Sequence, residues 1–347
     1  MGVEHTIELR SDNAAGVAPP ILDAIVAAGA GSALAYGGDE WTARLGKRVA
    51  DVFEHPDVAV FPVVSGTAAN ALGLSALCPP WGSVLCHESA HIVNSEGGAT
   101  SLLAAGAVMR ALSGEASKLT PESVHDALAS TRWGDPHHSQ PSVLSLTCPT
   151  DHGTIYTPDE IGALVAAIRP RGLRVHMDGA RLANAIVAVG CSPAELTWRA
   201  GVDVLSLGAT KNGALSTDAI VSFDPAVGAE LVYRTKRAGH VASKMRFQSA
   251  QLDAYLTDGL WLRLAATANE AMAIIVAGLR ELDVVLLEEP QANMAFVRVP
   301  PAAVARLEGA GLLFYAMGGG VVRFVTSFQT TTADAVEAVR RMRAALA

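Results

Sequence analysis

Residues 206–213 read Ser-Leu-Gly-Ala-Thr-Lys-Asn-Gly, and the lysine is the odd member. The chain has 26 Lys plus Arg, but its only lysines are Lys47, Lys118, Lys211, Lys236 and Lys244. Lys211 follows an apolar run, Val202 to Leu207, that reads as a buried strand, and its loop is built from glycine and alanine. Loops at the carboxyl ends of strands are where parallel α/β sheets bind ligands. A near-unique lysine in such a loop is a candidate for chemistry.

The pattern on either side supports a parallel sheet. Apolar strand-like runs at 58–64, 84–86, 142–148, 173–177, 202–207 and 219–223 alternate with helix-like segments, including AANALGLSAL after the first run and AHIVNSEGGA after the second. Thr157-Pro158-Asp159-Glu160 reads as a capping box with proline at the first helical position. Strands alternating with helices predict an α/β fold with a mainly parallel sheet covered on both faces. From about residue 250 the pattern changes to long alanine- and leucine-rich helices. Strand-like runs follow at 293–299 and 320–326, then an amphipathic tail. The expected division is therefore a large domain over 1–250 and a small α+β domain over 251–347.

Composition narrows the function classes. A net charge of −8 and the absence of a basic stripe argue against nucleic acid as a partner. The acidic start MGVEHTIELRSD is not a secretory leader, and the AMAIIVAGLRELDVVLL stretch is broken by charge, so no membrane span is expected and a cytoplasmic location is. Cys78, Cys86, Cys148 and Cys191 show no paired spacing and read as buried free thiols. Neither they nor the His137-His138 pair suggest a metal site.

Three polar features fall after strands: Ser65-Gly66-Thr67, Asp178-x-x-Arg181 and Thr210-Lys211. Read singly, they are a helix cap, another helix cap and a solvated charge. Together they match what pyridoxal phosphate requires: backbone donors for a phosphate, an anion for the pyridine nitrogen and an amine for the aldehyde. A lysine that forms a Schiff base must be partly desolvated to be nucleophilic near neutral pH. Small neighbours at Gly208, Ala209 and Gly213 are expected to make room for the cofactor ring.

The segments LRSDN (9–13), AYGGDEWT (35–42), SGTAAN (65–70), HMDGARLANA (176–185), GATKNG (208–213), SKMRFQSA (243–250) and RFVTSF (323–328) resemble the threonine aldolases. These are fold-type-I pyridoxal-phosphate enzymes of the β-eliminating lyase group, and the likeness is greatest to the bacterial low-specificity L-threonine aldolase and phenylserine aldolase branch. The resemblance covers nearly the whole chain. It implies that Lys211 carries the cofactor, Asp178 pairs with its ring nitrogen, and Gly66 and Thr67 hold its phosphate. It further implies that Ser11, Arg181 and Arg323 grip the substrate carboxylate, that His91 stacks on the ring, and that His137 is a candidate base for the substrate hydroxyl. Retro-aldol cleavage of L-β-hydroxy-α-amino acids to glycine and an aldehyde is the implied reaction, with β-elimination or transaldol chemistry on the same scaffold as the alternative. A homodimer or homotetramer is the implied assembly. Where many relatives have an Asn-Thr-His-Asn-type loop, this chain reads Cys148-Pro-Thr-Asp-His152-Gly, which bears on substrate preference.

Two readings from other classes compete. Gly29-Ala-Gly31 is only half of a dinucleotide fingerprint and follows a helix-like segment, which counts against a nicotinamide oxidoreductase. A non-catalytic binding protein has no need of Lys211 and Asp178 together.

Overall fold

The computed structural model describes residues 6–282 and 284–346. The first five residues, part of the start read as no secretory leader, lie outside these, as does Asp283. A seven-stranded sheet forms the centre. Its strands are β2 (Ala59–Val63), β3 (Gly82–His87), β4 (Val108–Leu112), β5 (Gln140–Thr147), β6 (Arg174–Gly179), β7 (Val204–Leu207) and β8 (Asp218–Ser222), in the order β2-β8-β7-β6-β5-β3-β4. β8 runs antiparallel to both its neighbours, and the remaining pairings are parallel. β7 and β8 are buried along their whole length, as strands covered on both faces must be.

The expected strands all form, with boundaries moved by one or two residues. The capping box forms as read: Thr157 Oγ1 accepts from Glu160 N, and the Glu160 carboxylate accepts from Thr157 N. The 90–99 segment, expected to be helical, is instead one turn (His91–Asn94) and a second short helix (Ala99–Leu103). Gly97 and Gly98 stand between them at φ 57° and 77°, a left-handed pair that a continuous helix does not accommodate. The edge strand β4 gives no clear sequence signal, because its alternation VMRAL is interrupted by Arg110.

A second core lies beyond the sheet. There, β10 (Met294–Arg298) pairs with β13 (Val321–Val325) and with β9 (Val285–Leu286), while β12 (Tyr315–Gly318) flanks β13. The N-terminal strand β1 (Ile7–Glu8) pairs with β11 (Leu312–Leu313), and Ile7 and Leu9 are buried in this second core. The two cores divide within the Leu260–Arg280 helix: Trp261 and Ala265 belong to the first, Ala271 onward to the second. That helix thus spans both cores, and the start of the chain packs in the second. By length and composition Arg246–Arg280 could cross a membrane. Here it is broken at Thr257–Gly259, where Asp258 takes φ 50°, and its apolar residues are divided between the two cores.

Candidate active site

The carboxyl ends of β2, β3, β5, β6 and β7 face one cavity of about 460 Å³. Register sets the centre: Thr147 of β5 and Ser206 of β7 both pair with Asp178, the penultimate residue of β6. Gly66 and Thr67 follow β2 and open the Gly66–Leu77 helix. Ser65 Oγ caps Ala68 N at 3.2 Å, leaving the Gly66 and Thr67 N–H groups with no acceptor among the described residues. A Cβ at Gly66 would meet only Asp218 Oδ2, at 3.9 Å, so the approach to these donors is open.

Lys211 is half-buried in the same wall, and its amine makes no hydrogen bond among the described residues. Its pKa is lowered first by the positive Arg181 guanidinium and then by burial, both of which favour the neutral amine. The loop is fixed from beneath. Asp218 Oδ1 accepts from Ala209 N and Thr210 N at 2.7 and 3.0 Å, and Asn212 Nδ2 donates to Tyr255 Oη and the Trp261 carbonyl. The small neighbours have a different cause from the one expected. A Cβ on Gly208 would sit 2.2 Å from the Ala180 carbonyl oxygen. Gly213 has φ +104° and faces Ala18 Cβ at 2.9 Å, while Ala209 is buried in the first core. Packing of the protein against itself requires those residues.

Asp178 is 4% exposed, and each oxygen accepts one hydrogen bond: Ala180 N donates to Oδ1 at 3.0 Å and Asn70 Nδ2 to Oδ2 at 2.9 Å. Asn70 Nδ2 also donates to Glu96 Oε1 at 2.8 Å, and His91 Nδ1 lies 2.9 Å from that same oxygen. The buried Glu96 carboxylate raises the His91 pKa, chiefly through this hydrogen bond. A chain His91–Glu96–Asn70–Asp178 therefore links two residues expected in the site through two that were not. Asn70 closes the SGTAAN segment, and its place one helical turn after Gly66 is the signal that could have found it. Glu96 has no comparable local signal.

The three residues assigned to the substrate carboxylate are not equivalent. Arg181 makes a two-pronged pair with the buried Asp12, Nε to Oδ2 at 2.6 Å and Nη2 to Oδ1 at 2.9 Å. Its fork is taken, and only its remaining edge faces the cavity. Arg323 is freer: its Nη2 donates to the Arg10 carbonyl at 3.2 Å, but its Nε is buried without a partner, and its guanidinium lies 5.0 Å from the Tyr315 ring centre. Ser11 lines the cavity while its Oγ accepts from Asn13 N at 3.2 Å. His137 does not join them. It is exposed in the turn before β5, at the amino end of that strand, so within its own chain it cannot reach a substrate held at the carboxyl ends.

A profile of the family described as Beta-eliminating lyase matches residues 8–301. The chain belongs to the β-eliminating lyase family. Its similarity to curated family proteins extends end to end. It is 40% identical to a low specificity L-threonine aldolase of Pseudomonas aeruginosa over 98% of both chains. It is also 40% identical to a protein of the same name from a Pseudomonas species over 99% of both. Among solved structures, a Leishmania major threonine aldolase superposes with TM-score 0.91 and 25% identity over 98% of this chain and all of that one. A Thermus thermophilus aspartate aminotransferase superposes with TM-score 0.72 and 17% identity, which extends the likeness to the wider fold type I. The lyase family's match ends at residue 301, inside the second core.

Proposed function

We propose that the chain is a pyridoxal-phosphate-dependent aldehyde-lyase that cleaves L-β-hydroxy-α-amino acids, such as L-threonine, L-allo-threonine and phenylserine, to glycine and an aldehyde. The observation that carries this reading is Lys211: an unpartnered amine, biased to its neutral form, between a helix end with free N–H donors and a buried, hydrogen-bonded carboxylate. Those are the three groups the cofactor needs, and they line one cavity wide enough for it. Gly66 and Thr67 would hold its phosphate, aided by the positive end of the Gly66–Leu77 helix. Asp178, oriented by hydrogen bonds from Asn70 and Ala180, would hold the ring nitrogen, His91 would lie on the ring face, and Lys211 would bind the aldehyde carbon. When bound, pyridoxal phosphate takes up the electron pair of whichever Cα bond breaks.

The chain's part is to choose that bond. Arg323, with an unused Nε, suits the substrate carboxylate, with Ser11 and the open edge of Arg181 beside it. Fixing the carboxylate and the amine leaves the Cβ group to be directed, and orientation of this kind is worth several kcal/mol. The full-length likeness to proteins named low specificity L-threonine aldolase favours Cα–Cβ cleavage over β-elimination. Assembly as a homodimer or homotetramer belongs to this reading, supported by exposed apolar side chains such as Leu34, Tyr36, Val64 and Leu215. A cytoplasmic setting fits the four free cysteines.

Incubating the purified holoenzyme with L-threonine should release glycine and acetaldehyde in equal amounts, and phenylserine should release benzaldehyde. Ammonia and a keto acid as main products would establish β-elimination instead.

A further inference from the structure

Four carboxylates line the cavity: Glu96, Asp151, Asp178 and Asp218. Three accept hydrogen bonds from the protein: Glu96 from Asn70 through Oε1, with its buried Oε2 unpartnered, Asp178 from Asn70, and Asp218 from the Lys211 loop. Asp151 does not. Neither of its oxygens accepts a hydrogen bond among the described residues, and its Oδ2 is sealed from solvent. An aspartate kept for a turn caps a nearby N–H, and Asp151, half-buried as a whole, caps none among the described residues. Such a group at the wall of a reaction cavity suggests that its free lone pairs are used there.

Its position narrows the use. Asp151 follows β5, between β6 and β3, and it senses charge from every side of the cavity. Asp178 of β6 and Arg181 just beyond act on it, as do His91 after β3, Lys211 after β7 and Arg323 of β13. In the lyase reading, Lys211 marks the substrate nitrogen and Arg323 its carboxylate, so the unassigned substituent on Cα is the hydroxyl-bearing Cβ. We propose that Asp151 is the base that accepts the β-hydroxyl proton. This role rests on the lyase reading and adds the residue that drives the cleavage.

Other candidates are poorer. His91 Nδ1 is tied to the Glu96 carboxylate at 2.9 Å, and in the lyase reading its ring is taken up by the face of the cofactor. His137 is at the far end of β5. The ring of His152 is tied to Ser117 through Nδ1 and stands edge-on to Phe296, and it does not line the cavity. Asp151 is also poised to take a proton, since burial and then the charge of Asp178 push its carboxyl up to about 6, near the working pH of a base. In the step, the substrate O–H bond breaks and its proton goes to the Asp151 carboxylate. The O–H electron pair becomes the second bond of the aldehyde carbonyl as Cα–Cβ breaks, and the Cα–Cβ pair stays with Cα. One proton then joins Cα to give glycine, so the balance is neutral and no further reactant is needed.

Asp151→Asn tests this. Cleavage of L-threonine by the holoenzyme should fall about 10²–10⁴-fold. Exchange of the glycine α-hydrogen for deuterium should continue near the wild-type rate, because glycine has no β-hydroxyl. Pyridoxal phosphate should titrate into the cofactor-free variant with unchanged affinity. The acid limb near pH 6 in the wild-type cleavage profile should vanish. A readout without cofactor is urea unfolding. The folded carboxyl titrates near 6 and the unfolded one near 3.8. Above this window the native chain bears a buried charge that asparagine lacks, so the variant should unfold at higher urea at pH 8, with the gap closing toward pH 4. Wild-type cleavage rates in the variant, an equal loss of cleavage and exchange, or no gap at pH 8 would each overturn the assignment. So would loss of cleavage in His137→Asn with Asp151→Asn unaffected. A wild-type enzyme that exchanges glycine but never releases it from threonine would sink the lyase reading itself.

Discussion

Lys211 is legible in the sequence because its role depends on one local relation, the end of a strand. What the sequence does not show is why its amine is reactive: Arg181, thirty residues earlier, supplies the leading effect. Arg181→Ala should therefore move the Lys211 pKa up and reduce the neutral fraction at pH 7–8. The check is the pH dependence of labelling of the cofactor-free protein by an amine-reactive reagent, with Lys211→Ala as the blank. Lys211→Ala should also remove the visible band of lysine-bound cofactor and nearly all turnover, with a far-UV spectrum unchanged. A reducible adduct persisting on another lysine would contradict the assignment. Arg323→Ala should raise KM strongly and lower kcat as well, since the same contact binds the carboxylate and aims the bond; unchanged kinetics would return Arg323 to a bystander. Asn70 and Glu96 escape a sequence reading because the contact that joins them to the site, Asn70 to Asp178, spans 108 residues, and Asp151 escapes it because only the folded cavity brings the charges of three other strands round it. His137 falls away from the cavity because nearness to a strand in sequence does not say which end of that strand faces the ligand.

At the level of elements, strands are easier to read than what joins them. The runs that become β5 to β8 are apolar and β-branched because both faces are covered, and that leaves a direct mark on composition. Polar residues inside those runs carry information of another kind. His176 in β6 is fully buried, with Nδ1 2.9 Å from Ser145 Oγ of β5 and Nε2 3.0 Å from Ser206 Oγ of β7. The ring ties three central strands together beneath the Gly66–Leu77 helix, against Gly73, where a Cβ would lie 3.6 Å from its Cδ2. Burial pushes its pKa down to about 4, so it is neutral in the fold. Unfolded, it titrates near 6.5. Between these values the unfolded chain binds the extra proton, so this residue's contribution is fully present above the window and falls as pH drops through it, by on the order of 3 kcal/mol. Ring NMR signals should stay in the neutral form down to about pH 5 by the same shift. Ser206→Ala should leave one ring nitrogen unsatisfied and cost about 1–3 kcal/mol in urea unfolding at pH 7. A loss well below that would mean the histidine finds another partner.

For the whole molecule, the fold class is legible because alternation of strand and helix is a global pattern, but the boundary between the cores is not. Sequence order suggests that the start of the chain belongs with the sheet that follows it. In the fold, Ile7 and Leu9 join the second core, and the chain then passes Asp12 to Arg181 just beyond β6. Asn293 Nδ2 donates to Asp12 Oδ2 at 3.0 Å from the β10 side, so one carboxylate ties the N-terminal segment, the second core and the central sheet. Burial alone would raise the Asp12 pKa, yet Arg181 more than offsets this and holds it low. Asp12→Asn keeps the size and removes the charge. It leaves the mostly buried Arg181, whose side chain is 15% exposed, without its anion. Breaking a buried pair from one side costs about 3–5 kcal/mol, far more than an exposed pair. The variant should therefore unfold at markedly lower urea and be cut faster by protease near residues 13–18, where the N-terminal segment leaves the pair. The same change strips Lys211 of one raising charge, so its amine should titrate lower still, opposite in direction to Arg181→Ala. Stability near the wild-type value, or a Lys211 shift in the same direction for both variants, would show that the Asp12–Arg181 pair does not join the two cores or tune the lysine.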